Sequence, residues 1–338
     1  MRKMKRQTNK KFIISVLIVV VVMVALVGIL IFFDQKDQKA YQIVQTKMVE
    51  PQQSYSITYN GETYDYNTSI ETVLLIGVDS RGKLEAQDKY GVDARADNIV
   101  LVIMDRQNHR IKILPISRDT MTEITKYTKS GFESTKYVDH LGFAFAYGDG
   151  YKASCENTCD AISNLLYGIN IRYYICTNLD SIAFANEMLG GVTVECPNDD
   201  LVKDYPELKK GSKVKLTSSN VEDFLRYRDT KTDYSNNGRM DRQQAFLDGF
   251  IQKAKTMSEN DYLTLWDKIN AKDSNILTNM SKAHFMNIIG RVADYDYEKT
   301  QSNLRITGVD KIEDNHDVFY PNKEELKQLV IDTFYTKR

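Results

Sequence analysis

Acids and arginines recur at the ends of apolar runs along this 338-residue chain. The run TVLLIGVD ends on Asp79, and NIVLVIMD (98–105) is preceded by Arg95 and Asp97. RIKILPIS (110–117) leads directly into Arg118, Asp119 and Thr120. If the first two runs are antiparallel neighbours, the end of one and the start of the next share a sheet edge, and Asp79 can meet Asp97. Two carboxylates of that kind suit Mg²⁺ or Mn²⁺, which take one or two acids and leave other positions to water and phosphate. The plainer reading is that each acid caps a strand end or pairs with a neighbouring arginine. Further along, FLRYRD carries Arg226 and Arg228, and GRMDRQQ carries Arg239, Arg242 and Gln243. On an extended segment Arg226 and Arg228 point the same way. On a helix Arg239, Arg242 and Gln243 share one face. Arginines brought beside the acids would grip a multiply anionic ligand such as a diphosphate, since a guanidinium binds phosphate in bidentate fashion and keeps its charge. The alternative is a solvated set neutralised by Asp223, Asp229, Asp233 and Asp241, in which each pair is worth about 0–1 kcal/mol.

The elements that must position these residues follow from the same pattern. The runs ending at Asp79 and Asp105 are continuously apolar, which marks strands covered on both faces. The short polar link 106–109 makes the second and third runs a hairpin. Helical spacing covers 153–167, 179–188 and about 241–257, with further helices at 263–269, 283–293 and 323–334. INIRYYICTN (169–178), GVTVECP (191–197) and RITGV (305–309) read as strands. The fold class is α/β, a central mixed sheet flanked by helices in α/β/α layers. Phe246 and Phe250 on the 241–257 helix either line a lipid tunnel or belong to ordinary core.

Before the first strand the chain carries Arg2, Lys3, Lys5, Arg6, Lys10 and Lys11, then 22 uncharged residues from Phe12 to Phe33. As a helix that run is about 33 Å long, enough for a bilayer core, and no small-residue cleavage site follows it. The expected organisation is a cytoplasmic basic tail (1–11), a transmembrane anchor (12–33), a juxtamembrane spacer (34–69) with a hairpin turn at Asn60-Gly61, and an extracellular domain (70–338). Removing the six tail charges from the formal net of −1 leaves −7 on the remainder, which argues against nucleic acid as a partner. Cys155 and Cys159 fit both a buried helical face and a disulfide in an oxidising compartment, and Cys176 and Cys196 leave the same choice open. Four histidines and the lack of a G-x-S-x-G elbow speak against peptidase or esterase chemistry.

In order, TVLLIGVDSR, RADNIVLV, PISRDT, AFAYGDG, LGGVTVECP, FLRYRDT and NNGRMDRQQ resemble the motifs of the LytR-CpsA-Psr family of envelope proteins, over roughly 72–257. The resemblance implies a phosphotransferase that moves an anionic glycopolymer, such as teichoic acid or capsule, from an undecaprenyl-diphosphate carrier to a peptidoglycan hydroxyl. It implies Mg²⁺ (or Mn²⁺) on Asp79 and Asp97. Diphosphate binding falls to Arg95, Arg118, Arg226, Arg228, Arg239 and Gln243, and chemistry to Asp97, Arg118, Asp119 and Arg228, with either Asp97 or Asp119 as proton acceptor. Three departures from the pattern stand out: a long 79–97 loop, His140 where a lysine is expected (with Lys136 as a substitute), and Asp149 within YGDG. A lipid-diphosphate hydrolase and a non-catalytic carrier-binding regulator are the rival functions.

Overall fold

The computed structural model describes residues 56–228, 236–271, 274–297 and 304–338. The expected basic tail, the anchor and the first part of the spacer lie outside these residues. Among the described residues no helix is long and apolar enough to cross a membrane.

The chain opens with a hairpin, β1 (Ser56–Tyr59) and β2 (Glu62–Tyr66), closed at Asn60-Gly61 with φ of 51° and 80°. Both turn residues are left-handed, as the two-residue hairpin turn demands, and asparagine and glycine adopt that conformation most readily. β2 also pairs with the C-terminal strand. The folded domain therefore begins before residue 70, inside the stretch read as spacer.

Then come β3 (Ile70–Val78), β4 (Ala96–Asp105), β5 (Arg110–Ile116), β6 (Met121–Tyr127) and β7 (Glu133–His140). Helices Phe143–Ala146 and Lys152–Leu165 lead to β8 (Tyr173–Asn178), and helix Asp180–Met188 leads to β9 (Thr193–Glu195) and β10 (Lys213–Lys215). Helices Val221–Arg226, Asn236–Ala254 and Glu259–Ile269 precede β11 (Ile276–Thr278) and helix Lys282–Asp294. The chain ends with β12 (Gly308–Glu313), β13 (His316–Pro321), helix Lys323–Phe334 and β14 (Tyr335–Lys337).

The central sheet runs β11-β8-β3-β4-β5, parallel between β3 and β8 and antiparallel elsewhere. Side chains alternate across it. Val73, Val100, Val102, Met104, Ile111 and Ile113 face one core with the Asn236, Glu259 and Lys282 helices, and Leu74, Ile76, Leu101, Ile103 and Leu114 face the other with the Lys152 and Lys323 helices. Two covered faces are the reason these strands are apolar at every position.

Three sequence expectations need correction, and one hairpin was missed. GVTVECP contributes only the three residues of β9, which pair with β10 outside the main sheet. The strand expected at 305–309 starts at Gly308 and is half of a β12–β13 hairpin. The helix expected from 241 begins at Asn236. The β6–β7 hairpin, polar and largely exposed on β7, gave no periodic signal. The four cysteines are free thiols: Cys155, Cys176 and Cys196 are buried and Cys159 partly so. Cys155 and Cys176 sit together in the second core.

Helix Asn236–Ala254 lies against β9 at its single interior glycine after the first turn. A Cβ on Gly249 would strike the Thr193 carbonyl oxygen and come within 2.7 Å of Val192 Cγ1. Alanine normally favours a helix over glycine by about 1 kcal/mol, whereas overpacking costs about 1–3 kcal/mol. Gly249→Ala is accordingly expected to lower the unfolding free energy in urea; a variant as stable as wild type would mean the helix can move off β9 freely.

Candidate active site

Three strand ends build the floor of a charged site. β3 ends at Val78 opposite Ala96 of β4, with a register irregularity at Gly77/Val78, and Ile116 at the end of β5 pairs with Ile99. Asp79, Asp97, Arg118 and Asp119 follow or flank these positions and so converge. The Arg95 amide donates to Asp79 Oδ1 at 2.6 Å, and the Asp79 amide donates to the Arg95 carbonyl at 3.0 Å. The long 79–97 loop thus leaves the two acids aligned at one edge.

Asp97 is shared. Its Oδ1 accepts from Arg118 Nη1, and its Oδ2 lies 3.8 Å from Arg239 Nη1. Arg118 Nε is 3.4 Å from Asp119 Oδ1. Arg239, on the first turns of the Asn236 helix, has a side chain only 7% exposed. Arg228 forms an ion pair with Asp317 of β13. Asp119 stands in the middle of this group, under the influence of Arg118, Arg239, Arg228 and Asp317, and its carbonyl accepts from the Phe319 amide at 2.8 Å.

Burial pushes the Asp119 carboxyl above its ordinary value, against the pull of Arg118, Arg239 and Arg228. Burial likewise raises Asp79, opposed by the Arg95 amide and reinforced by Asp97. It works to lower Arg118, but Asp97 and Asp119 outweigh it and hold that guanidinium above its usual range. Arg239 is pushed down to about 10, first by burial and then by repulsion from Arg118; it stays cationic at neutral pH.

Several expected site residues are placed otherwise. Arg226 closes helix Val221–Arg226, while Tyr227 turns extended (φ −50°, ψ 134°), so Arg226 and Arg228 diverge. Arg226 pairs with Glu222 at 2.8 Å, one link in an exposed chain that continues through Arg81 to Asp180. Gln243 donates to the Leu225 carbonyl at 3.1 Å and lines a cleft with Asp97 and Arg118. That cleft holds only about 10 Å³, and Phe246 and Phe250 pack against the core rather than lining an open tunnel. Arg95 lies with its guanidinium 4.6 Å from the Phe143 ring centre, at the rim. Lys136 lies within electrostatic reach of Asp160. His140 sits at its edge, with Nδ1 3.0 Å from Asp139 and Nε2 3.2 Å from the Asp317 carbonyl. Asp149 serves the backbone instead, accepting from the amides of Tyr151 and Ser154 at the start of the Lys152 helix.

Arg242, grouped in the sequence with the anion-binding arginines, has a different task, and Asp317 went unrecognised. Arg242, one turn beyond Arg239, is buried and holds the preceding segment: it donates to the carbonyls of Phe224 (2.8 Å) and Tyr227, and pairs with Asn198 (3.1 Å) and Asp200. It fixes the backbone that presents Arg228. Asp317 lies 89 residues beyond Arg228, within a segment that carries no motif.

Among the described residues no group of three or more His, Cys, Asp or Glu could hold a metal. Asp79 and Asp97 nevertheless fit Mg²⁺, which needs no more than one or two protein carboxylates when phosphate supplies further oxygens. The charges agree: Asp79, Asp97, Asp119 and Asp317 offset Arg95, Arg118, Arg228 and Arg239.

The LytR_cpsA_psr family model matches residues 30–333. The chain belongs to this family. Among curated members, the polyisoprenyl-teichoic acid–peptidoglycan teichoic acid transferase TagU of Bacillus cereus is 29% identical over 216 residues, 62% of this chain and 60% of that protein. The Bacillus licheniformis TagU is 26% identical over 211 residues, again 62% and 60%. The matched part therefore spans about 60% of these curated LytR_cpsA_psr proteins. Among solved structures, Bacillus subtilis TagV superposes with a TM-score of 0.58 at 20% identity, covering 79% of this chain and 98% of TagV. TagT bound to LIIa-WTA gives 0.58 at 21% identity, covering 83% and 96%. The LytR_cpsA_psr fold is thus shared across the domain.

Arg239 is held in a folded environment that disfavours its charge: its pKa falls on folding, so at any pH below about 10 the guanidinium costs stability. Arg239→Gln is expected to raise Tm by about 2–4 °C while weakening anionic ligand binding. Calorimetry at pH 7.5 checks the first effect, and a lowered Tm would show that its contact with Asp97 outweighs burial.

Proposed function

We propose that this protein is a membrane-anchored phosphotransferase that moves an anionic glycopolymer from a polyprenyl-diphosphate carrier to peptidoglycan through a phosphodiester bond. The observation that carries the reading is the convergence of Asp79, Asp97, Arg118, Asp119, Arg228 and Arg239 on one sheet edge in a chain of this family. Such a set is built for phosphoryl transfer, where catalysis is mainly positioning and charge stabilisation. The apolar run 12–33 behind a basic tail supports an anchor with the N-terminus in the cytoplasm and the domain outside.

Arg118 and Arg239 bind the diphosphate beside Asp97, and Arg228 reaches the transferring phosphoryl group from the Asp317 side. Arg95 contacts it from the rim, and Gln243 holds the Leu225 carbonyl next to the cleft. Mg²⁺ held by Asp79 and Asp97 would draw charge from the phosphoryl oxygens and the leaving polyprenyl phosphate. Asp119 takes the proton from the acceptor hydroxyl. Asp97 is committed to Arg118 and Arg239, which leaves Asp119 as the better base, and its raised pKa strengthens it.

The test is full-length protein in lipid vesicles with a polyprenyl-diphosphate oligosaccharide and peptidoglycan fragments, with and without Mg²⁺. Metal-dependent attachment of the glycan phosphate is expected, and release to water without attachment would make the protein a hydrolase. Asp119→Asn should slow transfer by about 10²-fold or more. A base must be unprotonated, so the wild-type rate should fall as pH drops through a pKa above the ordinary aspartate value of about 3.8, and Asp119→Asn should lack that limb.

A further inference from the structure

A second cavity lies next to the cleft that holds Asp97, Arg118 and Gln243. Its volume is about 250 Å³, and the two share Pro115, Ser117 and Met240 as a common wall. Asp119 and Asp317 line the second cavity but not the first; Arg305, Thr307, Asp310 and Phe319 complete its working surface. The site thus has two neighbouring parts, with Asp119 in the second.

The chemistry of the second chamber differs from that of the first. Its lining carries three carboxylates, Asp119, Asp310 and Asp317, against one guanidinium, Arg305. With Asp119 and Asp317 already paired to Arg118 and Arg228, the lining carries little net charge. It suits a neutral polyhydroxylated ligand, because carboxylates accept hydrogen bonds from hydroxyls and the Phe319 ring offers an apolar face. The volume falls just below the roughly 300–1,000 Å³ of sites for drug-sized ligands, which suits one saccharide unit of a longer chain that continues into solvent. The wall is also tied to the catalytic group: the Phe319 amide donates to the Asp119 carbonyl, and Asp317 grips Arg228.

We propose that this cavity, formed by the β12–β13 hairpin against the end of β5, is the acceptor subsite, which takes a saccharide unit and presents its hydroxyl to Asp119. The proposal rests on the transferase reading and adds to it where the acceptor sits. In the step itself the acceptor O–H bond breaks and its proton goes to the Asp119 carboxylate. A bond forms between the acceptor oxygen and the phosphorus of the glycan phosphate gripped by Arg118 and Arg239. The bond from that phosphorus to the bridging oxygen breaks, and polyprenyl phosphate leaves with the electron pair.

Thr307 is exposed at the rim and belongs to neither the acid set nor the arginine set. Thr307→Trp should fill the chamber without touching Asp119 or Arg228. Full-length protein in vesicles would be titrated calorimetrically with a soluble peptidoglycan disaccharide fragment, and separately with a polyprenyl-diphosphate oligosaccharide. Wild type should bind both; Thr307→Trp should weaken the disaccharide at least tenfold and leave the lipid donor unchanged, and in turnover it should raise the acceptor KM at unchanged donor KM. Equal disaccharide binding by wild type and Thr307→Trp, or none by wild type, would overturn the subsite. Disaccharide binding that Thr307→Trp abolishes, in a wild type that transfers nothing, would uphold the subsite and sink the transferase reading instead.

Discussion

A guanidinium cannot shed its charge, so an arginine taken out of water must bring its counter-charge with it. Arg118 and Arg239 are in that position at the end of the central sheet. Asp97 serves both, Asp119 stands beside Arg118, and Asp119 in turn is pushed toward protonation by its own burial. Removing Asp97 would strand the charge of both guanidinium groups, and breaking a buried pair in that way typically costs about 3–5 kcal/mol. The lattice therefore constrains every element that contributes to it: the register of β3 with β4, the length of β5 and the entry of the Asn236 helix.

Those elements are held by contacts that do no chemistry. Gly249 lets the Asn236 helix close on β9 and so sets the height at which Arg239 arrives. Arg242 ties the backbone from Phe224 to Tyr227 to the same helix, so that Arg228 and Arg239 are carried on one framework although the chain between them runs outside the described residues. The β12–β13 hairpin brings Asp317 to Arg228 and its neighbour Phe319 to the Asp119 backbone. A charge-dense site supported by ordinary packing is the usual arrangement where stability has been exchanged for function. Arg239, held below its normal pKa, is the clearest instance here.

Strands β3, β4, β5 and β8 and most helices were legible because their apolar positions repeat with the period of the element that buries them. Lys323–Phe334 was read to the residue, and the hairpin at Asn60-Gly61 was visible in its two turn residues. Asp79, Asp97, Arg118 and Asp119 were legible as a group because each lies beside the end of a strand whose neighbours in the sheet are also its neighbours in sequence. Arg226 misled because parity along an extended chain does not survive a helix end at Arg226 itself. Asp317 and the second chamber left no trace, since a hairpin whose first strand is exposed throughout and whose second buries only Val318 has no core periodicity to display.

What the residues determined alone was local: which runs are strands buried on both faces, which acids terminate them, and that arginines stand ready in two later motifs. The family motifs in order carried the same information and placed the chain among its relatives. What only the tertiary structure decided was which charges meet. Pairing between segments far apart in sequence depends on helix entry angles, on a glycine's missing side chain and on a hairpin folded back from the C-terminal part of the domain. None of these is encoded in the spacing of the charged residues themselves, because an ion pair forms between whatever groups packing brings within reach.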